Sequence, residues 1–329
     1  MENDEYLIYI DYFIFKPKFN DSISKYKDQI KNCSKLIFSD YDNLKIIIEN
    51  TNEDNEFDFS GFPEFHHGSK FNRTVEKSFD DFTHLTHLTF GENFDQPLAN
   101  SLDNLINLTH LTFGRYFSQP LANSLIQLTN LTQLSFGGCF NQPLANSLDK
   151  LINLTLINFG DDFNQPLANS LDQLTNLTHL TFSHDFNQPL NNSLNNLINL
   201  THITFGWIFN QPLNDTLYYL NKLEYLTLNY YFNQELILPP NIKFLTLNCN
   251  NQDLIDSLPN SIEQLNFDYN FNLPLDNLPS SIKKISFDKD SNYNISLNNL
   301  PKSLEQLELS TNYKLEIKNK LTNCKIIYL

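Results

Sequence analysis

The feature that most constrains this chain is a 23-residue period. Phenylalanines recur at that spacing, and most are followed by Asn-Gln-Pro-Leu or a near copy: Phe94, Phe117, Phe140, Phe163, Phe186, Phe209 and Phe232. Between them recurs the pattern Leu-x-x-Leu-x-Phe, as in residues 108–113 and 177–182. A fixed period of this length is typical of a solenoid, in which each repeat buries its apolar face against the next one.

The central apolar position of that pattern can be followed along most of the chain. It recurs at Phe65, Leu88, Leu111, Leu134, Ile157, Leu180, Ile203, Leu226, Leu245, Leu265, Ile285, Leu307 and Ile327. The spacing is constant up to Leu226 and then becomes shorter and variable. Residues 62–329 are therefore predicted to form about thirteen coils, with 23-residue coils to about residue 238 and shorter irregular coils beyond it.

A single coil shows how the chain would fold. With Leu108 as position 1, the apolar positions are Leu108, Leu111, Phe113, Phe117, Leu121, Leu125 and Leu128. The first three indicate a short strand whose intervening side chains point outward. Gly114 permits a turn, Pro120 ends extended pairing, and the later leucines are spaced like one or two turns of helix capped by Asn123 or Ser124. The predicted fold class is an α/β solenoid dominated by β-structure, with a parallel sheet on one face and short helices or irregular turns on the other.

Residues 1–61 do not keep the period. Tyr6–Phe15 is predicted to be a strand, Lys25–Ile30 a short helix and Ile46–Ile48 a second strand, and Cys33–Phe38 weakly repeats the strand pattern of the coils. The end coil of a solenoid exposes apolar edges unless another segment covers them. Residues 1–61 are therefore interpreted as an N-terminal cap, and a separate recruiting module is the alternative.

Phe-Asn-Gln-Pro-Leu followed by Leu-x-x-Leu-x-Phe-Gly resembles the FNIP repeat, a divergent relative of the leucine-rich repeat. The resemblance covers residues 62–315, and the Leu-Pro-x-Ser phrasing of residues 258–261, 278–281 and 300–303 is also similar to the short leucine-rich repeats of bacterial effectors. It implies a leucine-rich-repeat-like solenoid used for protein recognition. Several members of the family carry an F-box before the repeats, which makes them substrate receptors of ubiquitin ligases. Residues 1–61 lack the Leu-Pro start and the helical spacing of that motif.

Composition excludes some classes of partner. The chain carries 38 acidic and 22 basic side chains, a net charge of −16. No segment has the basic surplus that binding to phosphates requires, so neither nucleic acid nor an anionic membrane surface is expected as a partner.

The cysteines and the N-terminal sequence indicate an intracellular protein. The four cysteines form no CxxC motif, which favours free thiols in a reducing compartment. The first residues are acidic, unlike a signal peptide, and no apolar run approaches the roughly 20 residues of a spanning helix. Sequons at the start of each predicted strand would place glycans between coils: Asn107, Asn130, Asn153, Asn176 and Asn199. The expected location is the cytoplasm, with the nucleus as a second possibility.

Histidines occupy position 3 of four coils. His87 with His110, and His179 with His202, would lie on adjacent strands about 5 Å apart. Two such imidazoles could share a metal ion or respond to pH. Each pair lacks the third and fourth ligands of a zinc site, however, and no carboxylate recurs at position 5. No metal and no cofactor is therefore predicted, and the histidines are assigned to the partner-binding face.

Aromatic residues cluster between residues 205 and 245. Trp207 and Tyr230 occupy matching positions just after two strands, and Tyr225 and Phe244 replace the usual histidine at position 3. Exposed aromatic side chains of this kind are favoured at binding hot spots. The alternative is that they fill space where the repeat period changes.

An asparagine follows most of the spaced phenylalanines, and it is given a structural interpretation. An amide at the same place in every coil can bond backbone groups of its own turn and of the next coil.

No motif for catalysis is present: the chain contains no G-x-S-x-G, P-loop, HExxH or G-x-G-x-x-G sequence. The predicted function is a non-catalytic protein–protein interaction scaffold that binds a protein partner on the strand face and adjoining loops. Two alternatives are kept, a substrate receptor of a ubiquitin ligase and a structural, self-assembling solenoid. A monomer is expected, with end-to-end stacking of copies as the alternative.

Overall fold

A computed structural model describes residues 4–41, 68–317 and 324–329. The chain divides into two compact units, Met1–Gln165 and Pro166–Leu329. The strand predicted at Ile46–Ile48 and the coil predicted around Phe65 lie outside the described residues.

The strands described in the first unit follow one another in chain order. They are β1 (Tyr6–Tyr9), β2 (Tyr12–Phe15), β3 (Lys35–Phe38), β4 (His87–Thr89), β5 (His110–Thr112), β6 (Gln133–Ser135) and β7 (Leu156–Asn158). β1 and β2 form an antiparallel hairpin, and each later strand pairs in parallel with the one before it. The single strand predicted over Tyr6–Phe15 is therefore wrong, because Ile10 adopts a φ of 53° and reverses the chain. The helix predicted over Lys25–Ile30 is confirmed as a 3₁₀ turn, Ile23–Tyr26, followed by α1, Lys27–Ile30.

The sheet neighbour of β4 on its N-terminal side differs from the prediction. Leu36 of β3 pairs directly with Leu88 of β4, at the place where the 23-residue period predicted the preceding coil. The reason is that β3 already presents buried Leu36 and Phe38 at repeat spacing, and the Phe38 ring stacks on Phe90 at 5.8 Å between centroids. The later half of the predicted coil is confirmed, since Phe71 stacks on Phe94 at 5.9 Å.

The second unit continues with parallel strands. They are β8 (His179–Thr181), β9 (His202–Thr204), β10 (Tyr225–Leu228), β11 (Phe244–Leu247), β12 (Gln264–Phe267), β13 (Lys284–Phe287), β14 (Gln306–Leu309) and β15 (Lys325–Tyr328). Their central apolar residues pair in register from Leu180 to Leu307, as the period predicts. The last strand is displaced by one residue, because Leu307 pairs with Ile326 and not with Ile327. β15 buries no side chain fully, so no inward-facing alternation determines its register.

Two phenylalanines per coil form the centre of the core in the 23-residue coils. Phe113 and Phe117 of one coil stack at 4.0 Å, and each stacks on its equivalent in the next coil, Phe136 at 5.6 Å and Phe140 at 6.1 Å. All four are buried. Full burial of one such ring contributes about 1.5–3 kcal/mol. Since each ring packs against neighbouring coils, the stability of a coil depends on its neighbours. The predicted shared core is confirmed.

The segment opposite the strand consists of successive turns in most coils. Ser124 N donates to Leu121 O at 2.8 Å and Leu128 N donates to Leu125 O at 3.0 Å, both bonds spanning three residues. An α-helix has bonds that span four residues, so the capped helix predicted there is absent and turns take its place. Ala122, just before the predicted cap, has a left-handed φ of 43°, and Ser124 is buried. Helices occur in two described coils of the second unit, α2 (Asn214–Leu217) and α3 (Gln252–Asp256).

The asparagine of the repeat connects neighbouring coils. Asn141 Oδ1 accepts hydrogen bonds from Asn164 N at 3.0 Å and from Gln165 Nε2 at 2.9 Å. Asn187 makes the same two contacts with the next coil in the second unit, at 2.9 and 3.1 Å. These bonds satisfy backbone donors that stacking removes from water. The structural interpretation of this amide is confirmed.

Candidate binding surface

Four rings form a continuous stack on the outward face of β8–β11. Their centroids are 4.0 Å apart from His179 to His202, 3.9 Å from His202 to Tyr225 and 4.2 Å from Tyr225 to Phe244, with interplanar angles of 7–15°. In-register parallel pairing places position 3 of successive coils side by side, and the rings tilt into contact. All four side chains are half-buried. We refer to these four residues as the ring column.

A second stack of rings lies in the turns just after the C-terminal ends of β8, β9 and β10. His184 and Trp207 stack at 6.2 Å, and Trp207 and Tyr230 stack at 5.4 Å; we call these three residues the turn column. Tyr231 meets Tyr230 edge to face and is 53% exposed. The backbone fixes this arrangement, because the amide of Tyr231 donates to the carbonyl of Trp207 at 3.3 Å. Between the two columns, position 5 carries a row of half-buried threonines: Thr181, Thr204, Thr227 and Thr246.

The histidines of the ring column are held by the threonine that precedes each of them. Thr178 Oγ1 lies 2.9 Å from Nδ1 of His179, and Thr201 Oγ1 lies 2.8 Å from Nδ1 of His202. Burial lowers the pKa of His202 to about 4, and the neighbouring His179 lowers it further in the same direction. A neutral imidazole can stack on another ring without charge repulsion, so the column is stable at neutral pH.

Among the described strands of the first unit, a stack of this kind is limited to two histidine rings. His87 and His110 stack at 4.0 Å with an interplanar angle of 8°, and positions 133 and 156 continue the row with Gln and Leu. Burial and the adjacent His110 lower the pKa of His87 to about 3.

Metal binding by the stacked histidines is geometrically unfavourable. The nitrogen lone pairs of two parallel rings lie in parallel planes about 4 Å apart, whereas one ion must lie about 2.0–2.1 Å from both nitrogens along those lone pairs. Within the described ranges, no group of three or more His, Cys, Asp or Glu side chains is placed to hold a metal ion.

A column of charged residues beside the ring column was not identified from the sequence. Position 2 is threonine in the 23-residue coils, where Thr109 Oγ1, for example, donates to Thr86 O at 3.0 Å. In the shorter coils this position alternates in charge: Glu224, Lys243, Glu263, Lys283 and Glu305. Salt bridges join Lys243 to Glu224 at 2.7 Å and Lys283 to Glu263 at 2.6 Å. The alternation is visible in the sequence once the coils are aligned on position 2.

These charged residues line an open groove of about 950 Å³ at the N-terminal ends of β9–β14, which we call the trough. Its remaining lining residues are polar or small: Thr201, Asn221, Lys222, Pro240, Asn241, Asn260, Ser261, Ser280, Ser281 and Ser303. Three lysines and three glutamates make the lining neutral, although the chain as a whole has a net charge of −16. No helix in the described ranges is both long and apolar enough to cross a bilayer.

Comparison with known proteins gives the repeat type and the fold. The family model for the FNIP repeat matches residues 250–290 and 269–312. No curated protein sequence matches the chain.

Among solved structures, an internalin, InlF, from Listeria monocytogenes str. 4b F2365 superposes with a TM-score of 0.58 at 14% identity, covering 97% of this chain and 86% of that one. CroV588, described as a novel circular leucine-rich-repeat protein, aligns over 99% of this chain at 24% identity with a TM-score of 0.48. The alignment spans 60% of the length of CroV588. Residues 250–312 therefore match the FNIP repeat, and the superposition on the internalin shows a leucine-rich-repeat-like β-solenoid fold.

Proposed function

We propose that the second unit binds a protein partner through the ring column and the turn column, without catalysing a reaction. The observation that carries the proposal is the pairing of two aromatic stacks on one outward surface, separated by a row of threonines. Leucine-rich-repeat folds commonly serve as scaffolds for protein interaction.

Stacking determines which parts of the rings a partner would meet. The faces of His202 and Tyr225 are covered by their neighbours in the column, so a partner contacts ring edges and polar atoms. The Tyr225 hydroxyl and the His202 Nε2 supply hydrogen-bonding groups along this surface, since Nδ1 of His202 already contacts Thr201. Because each ring is already held by two neighbours, binding would cost little side-chain entropy. Trp and Tyr are also the residues that most often dominate binding energy.

The test compares two pairs of substitutions in the full chain. Trp207→Ala with Tyr230→Ala removes the turn column, and Tyr218→Ala with Tyr219→Ala removes two aromatic side chains that are 74% and 55% exposed outside both columns. Proteins captured from extracts of the native cell would be quantified for each variant against the wild type.

We expect the first variant to lose its specific partner while its melting curve stays close to that of the wild type. The control variant should keep the partner. An unchanged set of captured proteins would contradict the proposal. A collapse of stability in the first variant would show that these rings act as core residues instead.

We further propose that the chain works in the cytoplasm or nucleus. The asparagines of the sequons already use their side-chain amides between coils: Asn130 Nδ2 donates to Ile106 O, and Asn199 Nδ2 donates to Thr175 O, each at 2.8 Å. A glycan would replace one of the two amide hydrogens and occupy the space between coils. All four cysteines are free thiols. An intact mass of the native protein that includes N-linked sugar would contradict this location.

A further inference from the structure

The trough differs from the two aromatic columns and offers a second surface for recognition. We propose that it binds a basic polypeptide segment in the polyproline II conformation, with Lys or Arg at every third position. The lining of the trough, the spacing of its charges and the net charge of the chain all favour such a ligand.

The lining fits a polypeptide backbone. A polyproline II segment makes no internal hydrogen bonds, so its N–H and C=O groups need partners from outside. The trough presents serine hydroxyls and asparagine amides along its length, and Ser261 Oγ is a buried atom without a hydrogen-bond partner among the described residues. No aromatic side chain lines the trough, which disfavours a sugar polymer because sugars commonly stack on aromatic faces.

The period of the charges selects the conformation of the ligand. Neighbouring strands lie about 4.8 Å apart, so residues of like charge, two coils apart, recur about every 9.6 Å. A polyproline II helix presents every third residue on one face, at about 9.3 Å. Same-face residues of a β-strand recur at about 6.7 Å, and those of an α-helix recur at about 5.4 Å, so neither stays in register over several coils.

The sign of the charge follows from the position-2 column and from the net charge of the chain. The lining as a whole is neutral because it includes Lys222, but within the column three carboxylates at the two-coil spacing, Glu224, Glu263 and Glu305, face two lysines, which pair with Glu224 and Glu263. Glu305 ends the column and forms no salt bridge with any described residue. The net charge of −16 also attracts a basic segment from a distance and repels an acidic one.

The length of the trough sets the length of the ligand. Five strand-to-strand steps from β9 to β14 span about 24 Å, which corresponds to about eight residues in polyproline II conformation. The distance from Glu224 to Glu305 is four steps, or about 19 Å. The heptapeptide Lys-Pro-Pro-Lys-Pro-Pro-Lys places its first and last lysines about 19 Å apart as well.

The experiment uses three heptapeptides and the full chain. Lys-Pro-Pro-Lys-Pro-Pro-Lys is compared with Pro-Lys-Pro-Lys-Pro-Lys-Pro, which has the same composition and charge but turns its lysines to different faces. Glu-Pro-Pro-Glu-Pro-Pro-Glu tests the sign of the charge. Affinities are measured by calorimetry at low ionic strength and again near 0.15 M salt, because charge recognition weakens as salt rises.

We expect the first peptide to bind about tenfold more tightly than its isomer, and the acidic peptide to bind more weakly than either. Glu263→Gln should reduce the affinity for the first peptide about fivefold to tenfold. Glu235→Gln makes the same change in net charge at an exposed position outside the trough and should leave affinity within about twofold. The Trp207→Ala and Tyr230→Ala variant should bind this peptide normally, which separates the trough from the function proposed for the columns.

Three results would overturn the inference: equal affinity for the two basic isomers, tighter binding of the acidic peptide, or equal effects of the two glutamate substitutions. Absence of binding by every peptide would overturn it as well. Thermal unfolding of both glutamate variants verifies that they fold, since loss of one exposed ion pair costs little stability.

Discussion

The close approach of successive coils at Gly137 gives the sharpest prediction for stability. A β-carbon added to Gly137 would lie 2.1 Å from the carbonyl oxygen of Gly114 and 2.7 Å from Cα of Arg115. Both are backbone atoms, and ordinary contacts to carbon begin near 3.5 Å, so the coils would have to separate by more than about 1 Å. The hydrogen bond from Cys139 N to Arg115 O, 2.7 Å long, lies next to this contact and would lengthen or break.

Gly137→Ala should therefore destabilise the first unit by about 3 kcal/mol or more, from steric strain of about 1–3 kcal/mol together with a buried hydrogen bond worth about 1–3 kcal/mol. The neighbouring glycine is a matched control. A β-carbon at Gly138 would lie 3.5 Å from Cγ of Arg115, an ordinary contact, so Gly138→Ala should be neutral or slightly stabilising.

Urea unfolding followed by circular dichroism would measure both variants, and hydrogen exchange would report locally on the amide of Cys139. That amide should lose protection in Gly137→Ala and keep it in Gly138→Ala. Equal midpoints for the two variants, or a Gly137→Ala midpoint equal to that of the wild type, would refute the reasoning about inter-coil contact.

Three further changes test other parts of the structure. Ala122→Gly should raise the free energy of unfolding by about 0.5–1 kcal/mol in urea titrations, because Ala122 has a φ of 43° and glycine accepts this conformation without strain. Asp268→Asn should raise the urea midpoint at pH 7, since burial raises the pKa of Asp268. The new amide is at the position equivalent to Asn248, whose Nδ2 donates to Asn229 Oδ1 one coil earlier, so it is expected to donate to Asn248 Oδ1, a buried acceptor without a partner in the described structure. That gain should shrink in acid, where the wild-type carboxyl is protonated. Finally, His87→Gln should reduce the loss of stability in acid. The folded pKa of about 3 lies below the ordinary histidine value of 6.5, so the unfolded chain binds the proton first and stability is lost as the pH falls from 6.5 toward 3. Urea midpoints measured between pH 7 and pH 4 for both proteins check this difference.

Periodicity predicted the features that depend on equivalent positions being stacked. The pairing of Leu111 with Leu134 and of Leu134 with Ile157, and the contact between coils made by Asn141, follow from copying one residue to one place in each coil. The histidine pairs were predicted on the same ground, and the structure brings His179 and His202 into one stack with Tyr225. Their role in binding remains a prediction.

Features that depend on distances between backbones could not be predicted in the same way. Gly114 suggested a turn, but its actual constraint is the carbonyl of Gly91, 2.1 Å from where a β-carbon would lie. The identity of the strand beside β4 also required the fold, because Leu36 lies 52 residues before Leu88 and outside the period. Sequence spacing records which positions are equivalent, and it does not record how closely two coils approach.

The change of period at Leu226 separates two solutions to the same packing problem. In the longer coils, position 7 is glycine in most copies, which allows backbones to touch, and position 2 is a threonine whose hydroxyl bonds to the preceding coil, as at Thr132. In the shorter coils, position 7 is Asn or Asp except at Ser310, and Asn248 Nδ2 bonds to Asn229 Oδ1 at 2.6 Å. Position 2 then carries charges that pair across coils, as Lys243 does with Glu224. The threonine hydroxyl donates a hydrogen bond to the preceding coil, whereas the charged groups of Lys and Glu extend into solvent. Because the trough is lined largely by this second type of coil, a charged recognition surface follows from the change in how the coils are joined.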